Sequence, residues 1–163
     1  MLHLLSNPTN TLPITGTCIL RRYGIRTAPT IPSTPTSLTH TRPDWIIHYV
    51  FDDPGPYPYL GNAHTHGMEK YNHLDFQTVI NFPQEHICYL LNTMGMRVRN
   101  GEIFLDGDMV SGIYEDCSIR LKQVRETDRD VLRLIIPDKY NRFPEDENCM
   151  EPYRHQELEM FTT

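Results

Sequence analysis

The sequence predicts an α+β fold, an antiparallel sheet of about five to six strands with one main amphipathic helix packed on a face. Three observations carry that expectation. One long stretch, PQEHICYLLNTMGMRVRNG (83–101), repeats its apolar residues at helical spacing. Shorter stretches on either side alternate apolar and polar residues or are dense in β-branched and aromatic ones. The last two of these, 118–126 and 131–138, are joined by a short polar turn that suits an antiparallel hairpin.

Taken in order, residues 1–43 hold six prolines, ten threonines, four arginines (Arg21, Arg22, Arg26, Arg42) and no acid. Proline removes backbone donors, and apolar side chains this sparse do not offset the entropy of ordering the chain. The segment is expected to be a disordered arm, with CILRRYGI (18–25) the one patch able to add a local strand, and 44–163 a single α+β domain. The arm also has the composition of an organelle transit peptide, while a polar linker or a start codon placed upstream of the true one explains the same letters. Its removal is expected to leave thermal stability unchanged.

From Asp44 the character changes. WIIHYVF (45–51) reads as a strand and DDPGPYP (52–58) as a turn cluster. LDFQTVINF (74–82) places Leu74, Phe76, Thr78, Ile80 and Phe82 at spacing two, the pattern of a half-buried strand. In the helix that follows, Ile87, Leu90, Leu91, Met94 and Val98 form the apolar stripe, Pro83 and Glu85 mark the start, and Asn100-Gly101 the stop. Gly95 inside it either bends the helix or lets another element approach closely. A turn at LDGD (105–108), a strand at MVSGIYE (109–115), and the hairpin of SIRLKQVRE and VLRLIIPD complete the sheet. VLRLII is nearly continuous in apolar residues, which suits a strand in the middle of the sheet or one covered on both faces. The tail is expected to be loop ending in a short acidic helix.

Charge and cysteine content exclude some functions. The 120 residues after the arm carry 11 basic and 21 acidic side chains, a formal −10. Such a surface argues against a nucleic-acid backbone as partner, because affinity there comes from clustered Lys and Arg. No run of about 18 apolar residues exists to cross a bilayer. Cys18, Cys88, Cys117 and Cys149 form no CxxC pair, and read as reduced thiols of a cytoplasmic protein, with a disulfide between two of them as the alternative.

Chemistry concentrates in NAHTHGMEKYNH (62–73). If NAHTHGM is a strand, His64 and His66 project from one face about 7 Å apart, with Thr65 on the reverse. Two imidazoles so placed form half of a zinc, iron or manganese site. Glu69, His73, Asp75, His86 and Glu115 are the candidates for a third ligand, and Gly67 lets the chain turn back toward the pair. The alternative is that the two histidines line a polar strand face and hydrogen-bond their neighbours. HTH with Glu69 three positions on also resembles the first metal motif of the cupins, although no second-motif histidine follows before His155 and a long helix does.

The run from Thr65 to Val124 and the residues after it carry a more extensive pattern: Thr65-His66-Gly67-Met68, Asn72-His73-Leu74, Leu90-Leu91-Asn92, Arg97 to Gly101, Gly107-Asp108, then Pro137-Asp138 with Arg142-Phe143-Pro144. In this it resembles family 4262 of the domains of unknown function, over roughly 45–155. The resemblance brings no activity with it. It implies that the step containing His73 is fixed while position 64 is not a fixed histidine, which points to His73 hydrogen-bonding a turn or a ligand. Asn72 and Leu74 stand where the pattern more commonly has Gly and Pro.

The expected function is a soluble domain that binds a protein or small ligand near His64, His66, Gly67, Glu69, Tyr71 and His73. The alternative is a metal-dependent enzyme using His64 and His66, with Glu69 or His73 completing the site and an activated water attacking substrate. The metal candidates are therefore His64, His66 and His73. The cofactor is left open between a transition metal and none, with none preferred. The partner is an unknown protein or small molecule, with nucleic acid and membrane excluded and the oligomeric state open; a third reading is assembly through an exposed sheet edge.

Overall fold

The computed structural model describes residues 10–14, 42–51 and 60–158. In chain order these form β1 (Asn10–Ile14), β2 (Ile46–Phe51), β3 (Leu60–His66), a 3-10 turn (Met68–Tyr71), β4 (Asp75–Ile80), α1 (Gln84–Arg99), β5 (Met109–Val110), β6 (Ile119–Glu126), β7 (Arg129–Ile135) and a last 3-10 turn (Tyr153–His155). The strands make one sheet in the order β1-β2-β3-β4-β7-β6-β5. Six of them lie in 44–163. The seventh, β1, comes from the N-terminal arm and pairs antiparallel with β2. The other segments of that arm, CILRRYGI included, lie outside the described residues, as do DDPGPYP and the end of the tail.

The fold is α+β as expected, but the sheet is mixed. β4 pairs with β7 in parallel, and every other pairing is antiparallel. The reason is the helix. α1 carries the chain back along the sheet after β4, so β5 starts in the direction of β4, and the reversals into β6 and β7 bring β7 alongside β4 pointing the same way. The two sheet halves are thus joined at a central parallel seam with Gln77 opposite Arg133. As VLRLII implied, β7 is interior, flanked by β4 and β6.

MVSGIYE is the second difference. Only Met109 and Val110 pair with β6; Gly112 takes φ 77°, a left-handed conformation that ends the strand. The residues beyond attach to the helix instead: Tyr89 Oη donates to Ile113 O at 3.0 Å, and the Tyr114 hydroxyl lies 2.7 Å from His86 Nε2. A turn seals β6 past β5. Gly107 N and Leu121 N bond to Leu121 O and Asp108 O, and Gln123 N donates to Asp106 Oδ1 at 2.7 Å.

The core lies between α1 and one face of the sheet. Ile87, Leu90, Leu91, Met94 and Val98, the whole expected stripe, are buried, facing Ile47, Ala63, Phe76, Leu121, Leu132 and Leu134. Gly95 is where Trp45 enters: a Cβ there would sit 2.6 Å from the indole ring. The indole is then fixed by a 3.0 Å bond from Nε1 to Asn92 Oδ1.

The opposite face of β3, β4 and β7 is polar yet largely buried. Chain beyond β7 covers its far end. Arg133 Nη1 donates to Gln156 O and Leu158 O, the Gln156 amide pairs with both backbone groups of Ile136, and Glu157 bridges Arg120 and Lys122. Asp138 organises the loop before it, accepting from the backbone N–H groups of Tyr140, Arg142 and Met150 and from Arg142 Nε. Cys88, Cys117 and Cys149 are free thiols, and Cys18 lies outside the described residues. No helix among the described residues is long and apolar enough to cross a membrane.

Candidate metal centre

β3 does run through NAHTH, so period-two alternation turns Asn62, His64 and His66 to the polar face and Ala63 and Thr65 to the core. Antiparallel pairing sets His48 of β2 directly opposite His64. Three imidazoles therefore meet. Ring centroids lie 4.4 Å apart for His48 and His66, 4.8 Å for His64 and His66 and 5.8 Å for His48 and His64, and one nitrogen of each falls within 4.8 Å of the others. The closest approach is between His64 Nε2 and His66 Nε2, at 3.1 Å.

A fixed polar frame holds these rings. His64 Nδ1 faces Asn62 Oδ1 at 3.0 Å. Asn62 is itself oriented, because its amide nitrogen donates to Glu126 Oε1 at 2.8 Å and its oxygen accepts from Gln77 Nε2 at 3.1 Å. Gln77 also donates to Glu126 Oε1, and its own oxygen accepts from Arg133 Nε at 2.7 Å. On the other side, Arg129 Nη1 reaches His66 Nδ1 at 3.1 Å and Asp75 Oδ2 at 2.9 Å, while Nε and Nη2 donate to Glu126 Oε2. Asp75 Oδ1 accepts from Thr65 Oγ1 and Met68 N. Both carboxylates are thus fully hydrogen-bonded. Among the described residues His48 has no hydrogen-bond partner, and its ring is half-buried.

Burial sets the charge of the site. It drives the His64 imidazolium down to about 4, beyond what the neighbouring Glu126 restores, with Arg129, His66 and His48 adding to the effect. Burial and then Arg129 lower His66 as well. Glu126 loses solvation on burial, but hydrogen bonds from Asn62 and the charges of His64 and Arg129 hold it below its ordinary value. At neutral pH the His64 and His66 rings are therefore uncharged and Glu126 is ionised, and an uncharged imidazole has a lone pair to give.

The other expected site residues go elsewhere. Gly67, at φ 120°, turns the chain off the end of β3; a Cβ there would stand 3.4 Å from Trp45. Glu69 is exposed in the 3-10 turn, and Tyr71 Oη donates to Asp44 Oδ1 at 2.7 Å. His73 uses both ring nitrogens on backbone: Nδ1 lies 2.7 Å from Leu74 O, and Nε2 accepts from Phe104 N at 3.1 Å. Its ring packs on Phe76 and Phe104. Of the candidate third ligands, only Asp75 reaches the histidine cluster, through Arg129; His86 is buried beside Tyr114. His48, Asn62, Gln77, Glu126, Arg129 and Arg133 are the members that reading the sequence missed. For His48 a signal existed: WIIHYVF was read as a strand, and its antiparallel pairing with the histidine strand would have brought the third ring to the pair.

A family model described as a domain of unknown function (DUF4262) matches residues 41–150. No curated protein and no solved structure matches the chain.

Proposed function

The chain belongs to DUF4262, a family of domains of unknown function, and from its site we propose that it is a binding domain holding one divalent transition-metal ion on His48, His64 and His66. The observation that carries this is the meeting of three imidazoles on two paired strands, with one nitrogen of each within 4.8 Å of the others. Two nitrogens bound at 2.0–2.1 Å to a tetrahedral ion stand about 3.3 Å apart. The 3.1 Å between the His64 and His66 Nε2 atoms is close to that span. Imidazole donors suit zinc, copper, nickel and iron over magnesium or calcium. Support also comes from the frame: the Nδ1–H of His64 bonded to the Asn62 oxygen leaves Nε2 as its lone-pair atom, the arrangement by which a hydrogen-bonded second nitrogen orients a ligating histidine. Three protein ligands leave a tetrahedral ion one open position, and through it the domain takes a small ligand or a water.

Purified chain carrying no affinity-tag histidines, loaded with zinc and desalted, should retain close to one ion per molecule by elemental analysis. His48→Ala and His64→Ala should each lower retention at least about tenfold while melting as cooperatively as the parent. Retention of none by the parent, or equal retention by all three, would falsify the proposal.

A further inference from the structure

Arg129 stands against the triad in a way a ligand set does not need. It closes the β6–β7 hairpin opposite Glu126 across the two residues Thr127 and Asp128, and Thr127 takes φ 39°, a conformation β-branched residues rarely adopt. That tight turn delivers the guanidinium to His66.

A guanidinium only donates, so His66 Nδ1 accepts from Arg129 and the ring proton of His66 is on Nε2. Nε2 points at His64 Nε2, 3.1 Å away. This nitrogen is free to accept, because the proton of His64 is on Nδ1 facing the Asn62 oxygen. The Asn62 orientation is forced in turn by its amide nitrogen donating to Glu126. The donors therefore run in one direction, Arg129 to His66 to His64 to Asn62. An ion taking both Nε2 lone pairs needs the His66 proton moved to Nδ1, with the ring still neutral, and Nδ1 is where the Arg129 donor points. Two donors cannot face each other there.

Resting on the metal-binding reading above, we propose that Arg129 is a built-in competitor of the ion: it occupies His66 when the site is unloaded, must release that imidazole when metal is held, and so sets the affinity of the triad. Its other bonds make the release local. Asp75 and Glu126 still hold the guanidinium after the His66 contact is broken, and its positive charge opposes a divalent cation whether or not the contact is made.

A merely structural arginine predicts the opposite sign, since its loss would loosen the rings and weaken binding. Zinc affinity is measured on the full chain by competition with a chromophoric chelator for the parent, Arg129→Gln and Arg129→Lys. Arg129→Gln should bind zinc more tightly by on the order of tenfold, the size by which groups beside ligands alter affinity; Arg129→Lys, which keeps the charge, should gain less. Equal or weaker binding by Arg129→Gln, with zinc still held by the parent, overturns the role of Arg129 and leaves the metal site standing. No zinc on any of the three overturns the metal site itself. Should Arg129→Gln fail to fold, nitrogen-15 spectra of the parent's imidazoles decide: His66 should carry its proton on Nε2 without metal and on Nδ1 with zinc, and an unchanged tautomer overturns the inference.

Discussion

Single residues decide the chemistry of this molecule through what surrounds them. Asp138 is a case away from the metal centre. Burial pushes its carboxyl up, but bonds from Arg142 and from the backbone of Arg142, Met150 and Tyr140 prevail and hold it at about 2, from an ordinary 3.8. A carboxyl depressed on folding contributes stability present above 3.8 and lost as pH falls through 2. His86 acts higher, its imidazole pushed by burial from 6.5 to about 4, so its contribution is full above 6.5 and declines toward 4. Urea titrations at successive pH values should therefore show two declines on acidification, the first between 6.5 and 4 and the second below 3.8. Asp138→Asn should remove much of the second and lower neutral-pH stability by about 1–3 kcal/mol, the cost of under-satisfying the partly buried donors around it. At this scale the sequence was half legible. The face shared by His64 and His66 follows from alternation within one strand. Glu126 and Arg129 are some sixty residues away, and only the sheet register brings them in.

Secondary elements were read with most success where periodicity is local. The helical stripe of α1 is buried as expected, and β2, β4, β6 and β7 fall on their stretches. MVSGIYE looked like sheet because its composition is that of a strand, but Gly112 and the bonds to Tyr89 and His86 draw it to the helix. The ambiguity at Gly95 resolves as close approach. Alanine there gains about 1 kcal/mol of helix propensity, yet its methyl would sit 2.6 Å from a buried, rigid indole. Overpacking of that kind costs about 1–3 kcal/mol, so Gly95→Ala should lower the melting temperature, and Gly95→Ala with Trp45→Phe should recover part of the loss. A rise in the single variant would show that the indole moves freely.

Across the whole molecule, the parallel seam between β4 and β7 was beyond reading, because strand direction depends on counting every reversal from β4 to β7, the helix among them. The seam is also where the two halves share a polar interior, through Gln77 and Arg133. Arg133 is buried, and part of its hydrogen bonding comes from the carbonyls of Gln156 and Leu158 at the end of the described chain. Deleting residues 153–163 removes two acceptors of this buried guanidinium and should destabilise the body by about 3–5 kcal/mol, and Arg133→Met in the truncated chain should restore part of it. Melting curves for the four combinations measure the coupling.

The turn that seals β6 past β5 has a consequence for association. Its bonds occupy both backbone groups of Leu121 and the N–H of Gln123, on which a foreign ribbon would otherwise template itself. Strand addition along that part of β6 first requires the turn to peel away, an obstacle to lateral growth at that margin; at the far border the segment from the N-terminal arm is outermost.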